Sequence, residues 1–148
     1  MQSELQKEKF LQNLNETLKK EEETATNLTI KGKKAFEEGK YYSSASYCFG
    51  SNIRYRYLQL LKEDMNDEEL MEFINALDNE MNEFESNADN IEKNTITDLE
   101  TYMIVKERVN EAKERLKIVK KKIIAGEEYI SDMAYTIERL YSGRTWAE

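Results

Sequence analysis

The chain has 148 residues, of which 35% are charged and 39% hydrophobic, a net charge of −8, and neither proline nor histidine. This length is enough for a domain with its own hydrophobic core, without disulfide or metal cross-links. The absence of histidine excludes Ser-His and Cys-His catalysis and the usual histidine-containing zinc sites, and the negative net charge argues against binding of nucleic acid.

The hydrophobic pattern predicts an all-α protein. No proline interrupts the chain, and apolar residues recur at spacings of three and four, as on a helix, with no sustained alternation. We predict a single domain over residues 1–148: a left-handed, mostly antiparallel bundle of four long helices and a shorter fifth. No apolar run approaches the ~20 residues of a membrane-spanning helix, and the polar N-terminus does not resemble a signal peptide.

The first predicted helix covers residues 2 to about 31. Its apolar seam is interrupted by Glu21 and contains small residues, so it is the least regular of the set. Gly39 is predicted to end this helical region in a turn, because glycine and nearby lysines suit a helix C-terminus. The seam consists of Leu11, Leu14, Leu18, Ala25, Leu28, Gly32 and Ala35.

The second predicted helix, residues 41–63, is apolar or small around most of its circumference, which is typical of a central helix. We therefore interpret residues 32–61 as the organiser of the fold. In this interpretation small serines permit close packing, and one face of the helix is buried in the core. That face consists of Tyr42, Ala45, Phe49 and Ile53, downstream of the Gly39 turn.

Two arginines of this helix, Arg54 and Arg56, would lie in a mostly buried element. Each is expected to pair with a carboxylate from a facing helix, because an unpaired buried charge is prohibitive. The alternative is that the two form an anion-binding pair. Cys48, flanked by aromatic residues, is predicted to be a small buried hydrophobe and not a nucleophile.

The third and fourth helices form the most regular pattern in the chain. Asn66 with Glu69 predicts the start of the third helix, and Thr97 with Glu100 predicts a capping box for the fourth. Two matched heptad stripes flank the polar residues 93–97 and indicate an antiparallel helical hairpin. The stripes are Leu70, Ile74, Leu77, Met81, Phe84, Ala88 and Ile91, then Tyr102, Val105, Val109, Ala112, Leu116, Val119 and Ile123.

Ala125 and Gly126 interrupt the pattern, and a fifth helix is predicted over residues 127–142. Its stripe consists of Ile130, Met133, Ile137 and Leu140. Trp146 near the end leaves two interpretations open. It is typical either of a fragment of a longer protein or of an ordinary C-terminus whose tryptophan packs back on the bundle.

The sequence predicts no catalytic residue, no cofactor and no metal site. The acidic clusters lie outside the apolar stripes and are read as solvated faces, since a bundle di-metal site needs inward Glu-x-x-His pairs. Lys40 with Ser43 or Ser44 lacks an oxyanion-binding loop. The aromatic residues of the second helix are more typical of a core than of a ligand pocket, and the basic residues 117–122 suit a helix end.

Residues 35–61 carry the pattern Ala-x3-Gly-x-Tyr-Tyr-Ser-x-Ala-Ser, followed by Phe49, Asn52 and Tyr57. This pattern resembles the helical region that follows the catalytic domain of archaeal Lon-like (S16 family) serine proteases. Residues 138–142 and Trp146 are also similar to that region. The resemblance implies a non-catalytic helical domain of a protease, with the Ser-Lys dyad of the family outside these residues. It is also compatible with a membrane-associated parent protein.

The same turn also resembles the helical hairpins of tetratricopeptide and HEPN proteins. A HEPN ribonuclease needs a histidine, which this chain does not have. A tetratricopeptide array needs a repeat of about 34 residues, and residues 122–141 echo residues 35–54 only faintly.

Two functions follow as hypotheses. The first is an accessory domain of a Lon-like protease that serves substrate access, positioning or oligomer assembly. The second is a free-standing adaptor that binds a protein partner through the hairpin of the third and fourth helices. A third class, an enzyme acting alone, would require a polar cleft with a perturbed carboxylate. The expected partners are a protein, other domains of a longer chain or further copies of this chain, and a cytoplasmic location is favoured.

Overall fold

The computed structural model describes residues 2–148, which form five α-helices and, over that range, no β-strand. The helices are α1 (Gln2–Glu37), α2 (Tyr41–Lys62), α3 (Asp67–Asp89), α4 (Ile96–Ala125) and α5 (Ile130–Ala147). The all-α prediction, with α5 the shortest helix at 18 residues, is confirmed. The helices divide into two compact units, α1 with α2 and α3 with α4 and α5. The assignment of residues 1–148 to one domain stays a prediction.

Gly39 forms the turn between α1 and α2, as predicted. Its φ of +73° lies in the left-handed region, which glycine adopts without steric penalty. The Lys40 amide donates to the carbonyl of Ala35 at 2.8 Å and closes the end of α1. The helix extends through Gly32 to Glu37 and is therefore longer than the predicted helix.

Small residues hold α1 against α2 through two matching contacts. Ser44 Oγ donates to the carbonyl of Gly32 at 2.8 Å, and Ser51 Oγ donates to the carbonyl of Ala25 at 3.0 Å. Both serines are buried, and the two contacts are seven residues apart on each helix. At Gly32 a Cβ atom would lie 2.9 Å from Cys48 Sγ, so only glycine fits this approach without a shift.

The predicted core face of α2 is wrong in part. Tyr42 is 89% exposed and Ala45 is also exposed, while Phe49 and Ile53 are only half-buried. The face toward α1 is instead the one that carries Ser44 and Ser51, whose hydroxyls bond to carbonyls of the partner helix. Hydrophobicity alone could not predict this choice, because a close helix contact selects small side chains over large apolar ones.

Arg54 pairs with a carboxylate of α1, as predicted, but the pair lies on the surface. Its Nη1 lies 2.8 Å from Glu21 Oε2, and the arginine side chain is 45% exposed, so the expected burial of this pair is wrong. Glu21, which interrupts the apolar seam of α1, is therefore paired with Arg54 of α2. Arg56 donates to Gln59 Oε1 at 3.0 Å on its own helix. Cys48, predicted to be buried, is exposed.

In the second unit, α3 and α4 form the predicted antiparallel hairpin. The two heptad stripes face each other and supply most of the core. Ile91 departs from the stripe and is 53% exposed, because α3 ends at Asp89 and Ile91 lies in the turn beyond it. The buried stripe residues are Leu70, Ile74, Leu77, Met81, Ala88, Val105, Val109, Ala112, Leu116 and Val119.

The helix ends match the prediction at two of four points. Asn66 caps α3 by accepting from the Glu69 amide at 2.8 Å, and Gly126 ends α4 with φ of +71°. The capping box of α4 lies two residues earlier than predicted: Thr95 Oγ1 accepts from the Asp98 amide, and Asp98 accepts from the Thr95 amide. An earlier start adds a further half-turn of helical hydrogen bonds. The start of α5 is also later than predicted, at Ile130.

α5 runs antiparallel to α4 and buries a broad face against it. Asp132 near its start binds Arg115 of α4, and Arg139 two turns later binds Glu111. Gly143 is buried at the end of this contact, where a Cβ atom would lie 3.2 Å from Arg108 Cβ. The buried residues of α5 are Met133, Ala134, Thr136, Ile137, Leu140 and Gly143.

Candidate interaction surfaces

A chain of ion pairs fixes α3 against α4 near the end of the hairpin. Glu85 of α3 binds both Lys106, at 2.8 Å, and Lys113. Lys106 also lies 3.1 Å from Asp89, whose carboxylate accepts a hydrogen bond of 2.7 Å from the Tyr102 hydroxyl. Hydrogen bonds from Lys106 and Lys113 lower the pKa of Glu85, and those from Tyr102 and Lys106 lower the pKa of Asp89.

A second ion-paired carboxylate joins α5 to α4. Asp132 binds Lys122 at 2.6 Å and Arg115 at 3.0 Å, and its side chain is only 12% exposed. Burial acts to raise the pKa of Asp132, but the hydrogen bonds from Lys122 and Arg115 outweigh that effect and bring the pKa below its usual range. The carboxylates with shifted pKa values are therefore kept ionised by cations, which is the opposite of what a general acid requires.

These lowered pKa values predict that the second unit loses stability in acid. Each carboxylate contributes stability above its unfolded pKa, about 3.9–4.3, and the contribution is lost as the pH falls through the lower folded pKa. We expect the free energy of unfolding to fall steadily below about pH 4.5, where the unfolded chain begins to bind protons. Urea denaturation followed by the fluorescence of Trp146, the single tryptophan, measures it.

The matched variants for this prediction are Glu85→Gln with Asp132→Asn and, as a control, Glu72→Gln. Glu72 is exposed on α3 and should leave the pH dependence unchanged. The double variant should make the free energy of unfolding depend less on pH. A double variant with the pH dependence of the unmodified protein would contradict the role assigned to these ion pairs.

Large apolar side chains remain exposed at the end of the second unit where α3 meets α4. Exposed fractions reach 77% for Ile96 and 61% for Met103. The last turn of α5 reaches the same end, since Ala147 lies beside residues of α3 and α4. We call this surface the apolar end, and it consists of Ile91, Ile96, Leu99, Met103 and Trp146.

A cleft of about 160 Å³ opens within the apolar end. Its walls are apolar side chains of α3 and α4 and the last residue of α5, and its rim is polar at Asp98 and Thr101. The walls consist of Ala88, Ile91, Tyr102, Val105 and Ala147. The sequence pattern did not predict this cleft. The signal available was the pair of isoleucines, Ile91 and Ile96, inside an otherwise polar turn.

The apolar end already binds one ammonium group of its own chain. Lys93 Nζ donates to the carbonyls of Ile91, at 2.9 Å, and Asp89, at 3.2 Å. The same nitrogen lies 4.1 Å from the centre of the Tyr102 ring. Unpaired carbonyls at a helix C-terminus and an aromatic face both attract cations, so this region is suited to positive charge.

The first unit has a separate aromatic surface at the α1–α2 turn. Phe36 and Tyr41 are more than half exposed and pack edge to face at 5.4 Å, beside the nearly fully exposed Tyr42. Lys40 is paired with Glu38 at 2.8 Å in the same turn. Of the predicted organiser residues, Gly39 thus shapes the turn, while Tyr42 and Ala45 face solvent.

An open groove of about 940 Å³ runs along α4 beside Tyr135 of α5. Arg115 lies over the Tyr135 ring, with its guanidinium carbon 4.5 Å from the ring centre. Three glutamates and an asparagine line the groove together with the apolar side chains of Met103 and Ile118, and Met103 also belongs to the apolar end. The groove therefore combines apolar and charged side chains and adjoins the apolar end at Met103.

The two units define a small all-α protein with an exposed apolar surface on an ion-paired helical scaffold. Among the residues described, no group of three or more acidic, cysteine or histidine side chains is placed to hold a metal ion. No helix within residues 2–148 is long and apolar enough to cross a membrane. No protein-family model matches the chain, and no curated protein or solved structure matches it either.

Proposed function

We propose that this protein is a non-catalytic helical interaction module that binds a partner protein through the apolar end of the α3–α5 unit. The observation that supports this proposal is the set of large apolar side chains exposed at the end of the unit that also carries the cleft, with Ile96 77% and Trp146 51% exposed. Several large apolar side chains exposed at one end of a folded unit favour an interaction site there. Aromatic residues and methionine are enriched at such interfaces.

The ion pairs beneath this surface favour the same role. Lys106 binds both Glu85 and Asp89 and so ties α4 to the last turns of α3, close in sequence to the exposed Met103 and Ile91. A partner would therefore meet a surface that is already ordered, and preorganisation lowers the entropic penalty of binding. The accessory role in a Lon-like protease is one form of this proposal, in which the partner is another domain or a substrate of that protease.

Site-specific photo-crosslinking tests the proposal. A photoreactive residue at position 96 should crosslink to a partner in cells, whereas the same residue at position 124 should not. Ile124 is a matched control because it is 88% exposed on the same helix, at its other end. The partner is then identified and the pair reconstituted from purified proteins. The variant Met103→Lys should weaken that purified complex at least tenfold, because it places a charge in the apolar surface.

Two results would contradict the proposal. Equal crosslinking from positions 96 and 124 would indicate non-specific contact. A reconstituted complex that Met103→Lys leaves unchanged, while a substitution at Tyr42 abolishes it, would move the interaction to the α1–α2 turn.

A further inference from the structure

We infer that the cleft in the apolar end binds one large aliphatic side chain of a partner segment, and that lysine or arginine flanks this side chain. The inference rests on the proposed function and adds the chemistry of the partner. It is carried by two independent observations, the size and lining of the cleft and the charge around it.

The cleft has the size and the polarity of a side-chain pocket. Its volume is about 160 Å³, and a dry apolar cavity of roughly 150 Å³ can accommodate a ligand as large as benzene. Val105 at its base is 2% exposed and Ala88 is 3% exposed, so the floor belongs to the rigid core. Ile91, 53% exposed, adds apolar surface to the wall of the cleft, and Ala147 of α5 forms another part of that wall.

The charge around the cleft selects a cationic segment. Asp98 lines the cleft, and Glu92 and Glu100 are exposed nearby in sequence on the same turn and helix. The helix α3, which ends at the cleft, contains no lysine or arginine. Two helices, α3 and α5, end here with C-terminal carbonyls, which favour cations, whereas the N-terminus of α4 at the same end is already capped by Thr95 and Asp98.

Lys93 shows how this end holds an ammonium group. It combines two backbone carbonyls at 2.9 and 3.2 Å with the ring of Tyr102. Tyr102 is also a wall of the cleft, so the cation site and the apolar site share one side chain. A partner lysine next to an aliphatic residue would meet the same kind of surface.

The same charge argues against a second copy as the occupant. Two copies that meet through this end with twofold symmetry would bring Asp98, Glu92 and Glu100 of one chain against those of the other. Like charges across an interface oppose association. A partner of opposite charge does not have this penalty.

The experiment uses the full chain and the synthetic peptide acetyl-Gly-Lys-Lys-Leu-Lys-Lys-Gly-amide. Methyl NMR of the isoleucines and Trp146 fluorescence report binding at the cleft. We expect the peptide to bind about tenfold more tightly than the same peptide with alanine in place of leucine, since several methyl groups would no longer be buried. A peptide with glutamates in place of lysines should bind still more weakly.

Two pairs of variants locate the binding. Ala147→Phe should fill the cleft and abolish the advantage of leucine, whereas Ala125→Phe, at an exposed position at the far end of α4, should not. Glu100→Lys should weaken binding severalfold, whereas Glu72→Lys makes the same charge change at the other end of α3 and should have no effect. Far-UV circular dichroism confirms that each variant remains helical.

Equal binding of the leucine and alanine peptides, or tighter binding of the glutamate peptide, would overturn the inference. So would a concentration-dependent mass in sedimentation that Ala147→Phe abolishes, because a second copy would then fill the cleft. If position 96 crosslinks to a partner but the lysine-leucine peptide does not compete for it, the proposed function stands and only this inference fails. If no partner crosslinks there, the proposed function fails first.

Discussion

Replacement of Leu116 by alanine is expected to lower the free energy of unfolding of the α3–α5 unit by about 2–5 kcal/mol. Leu116 is 2% exposed and is among the largest fully buried side chains of the chain. It lies on α4, the helix that contacts both α3 and α5. The substitution removes buried methyl groups and leaves a cavity that three helices would have to close together.

Urea denaturation followed by Trp146 fluorescence measures this effect, because the single tryptophan lies in the same unit. Leu99→Ala is the matched control: it makes the same chemical change on the same helix, at a side chain that is 46% exposed. We expect that control to change the free energy of unfolding by less than about 1 kcal/mol. Equal effects of the two substitutions would contradict the packing described for α4.

The second large effect is expected at Gly32. Replacement by leucine should separate α1 from α2, because even a Cβ atom here would lie 2.9 Å from Cys48 Sγ. Overpacking of this kind costs about 1–3 kcal/mol or more, which exceeds the gain of about 1 kcal/mol from replacing glycine within a helix. Hydrogen exchange of the α1 and α2 amides, read by mass spectrometry, measures the loss in this unit.

Lys33→Leu serves as the control for Gly32→Leu, since Lys33 is exposed one residue further along α1. A finer test combines Gly32→Ala with Cys48→Ala. With Cys48 present, the methyl group added at position 32 would lie too close to the Cys48 sulfur, and this contact opposes any gain in stability. With Cys48 replaced by alanine, the higher helix propensity of alanine at position 32 should stabilise the protein by up to about 1 kcal/mol. If Gly32→Ala has the same effect in both backgrounds, the contact between these residues does not limit the helix approach.

The predictability of this fold varies between its two units for a physical reason. In α3 and α4, large apolar side chains recur every three or four residues, and their burial decides the packing, so the hairpin could be predicted from pattern alone. In α1 and α2, hydroxyl and backbone contacts decide the packing. Ser44 and Ser51 carry no hydrophobic signal, and Tyr42 and Phe49 carry a strong one, so the pattern indicated the wrong face of α2.

The candidate site was less predictable than the fold. Its cleft forms where Ala147, at the end of α5, lies beside Ile91 and Tyr102, which are distant in sequence. Only the tertiary fold shows that these residues are neighbours. The heptad pattern also places Ile91 in the core stripe. Ile91 is exposed because α3 ends at Asp89, two residues before it.

The paired serine contacts of the first unit determine how its two helices can align along their lengths. A slip by one full heptad in one direction would place Ser51 opposite Leu18, whose side chain is too large for the close approach that Ala25 allows. A slip in the other direction would place Ser44 opposite Gly39, which lies outside the helix. Either shift loses one of the two contacts, so a single register keeps both. The turn at Gly39 and the two serines therefore specify the same alignment independently. A longer or shorter turn would favour a different alignment of α1 and α2 from the one that the serine contacts favour.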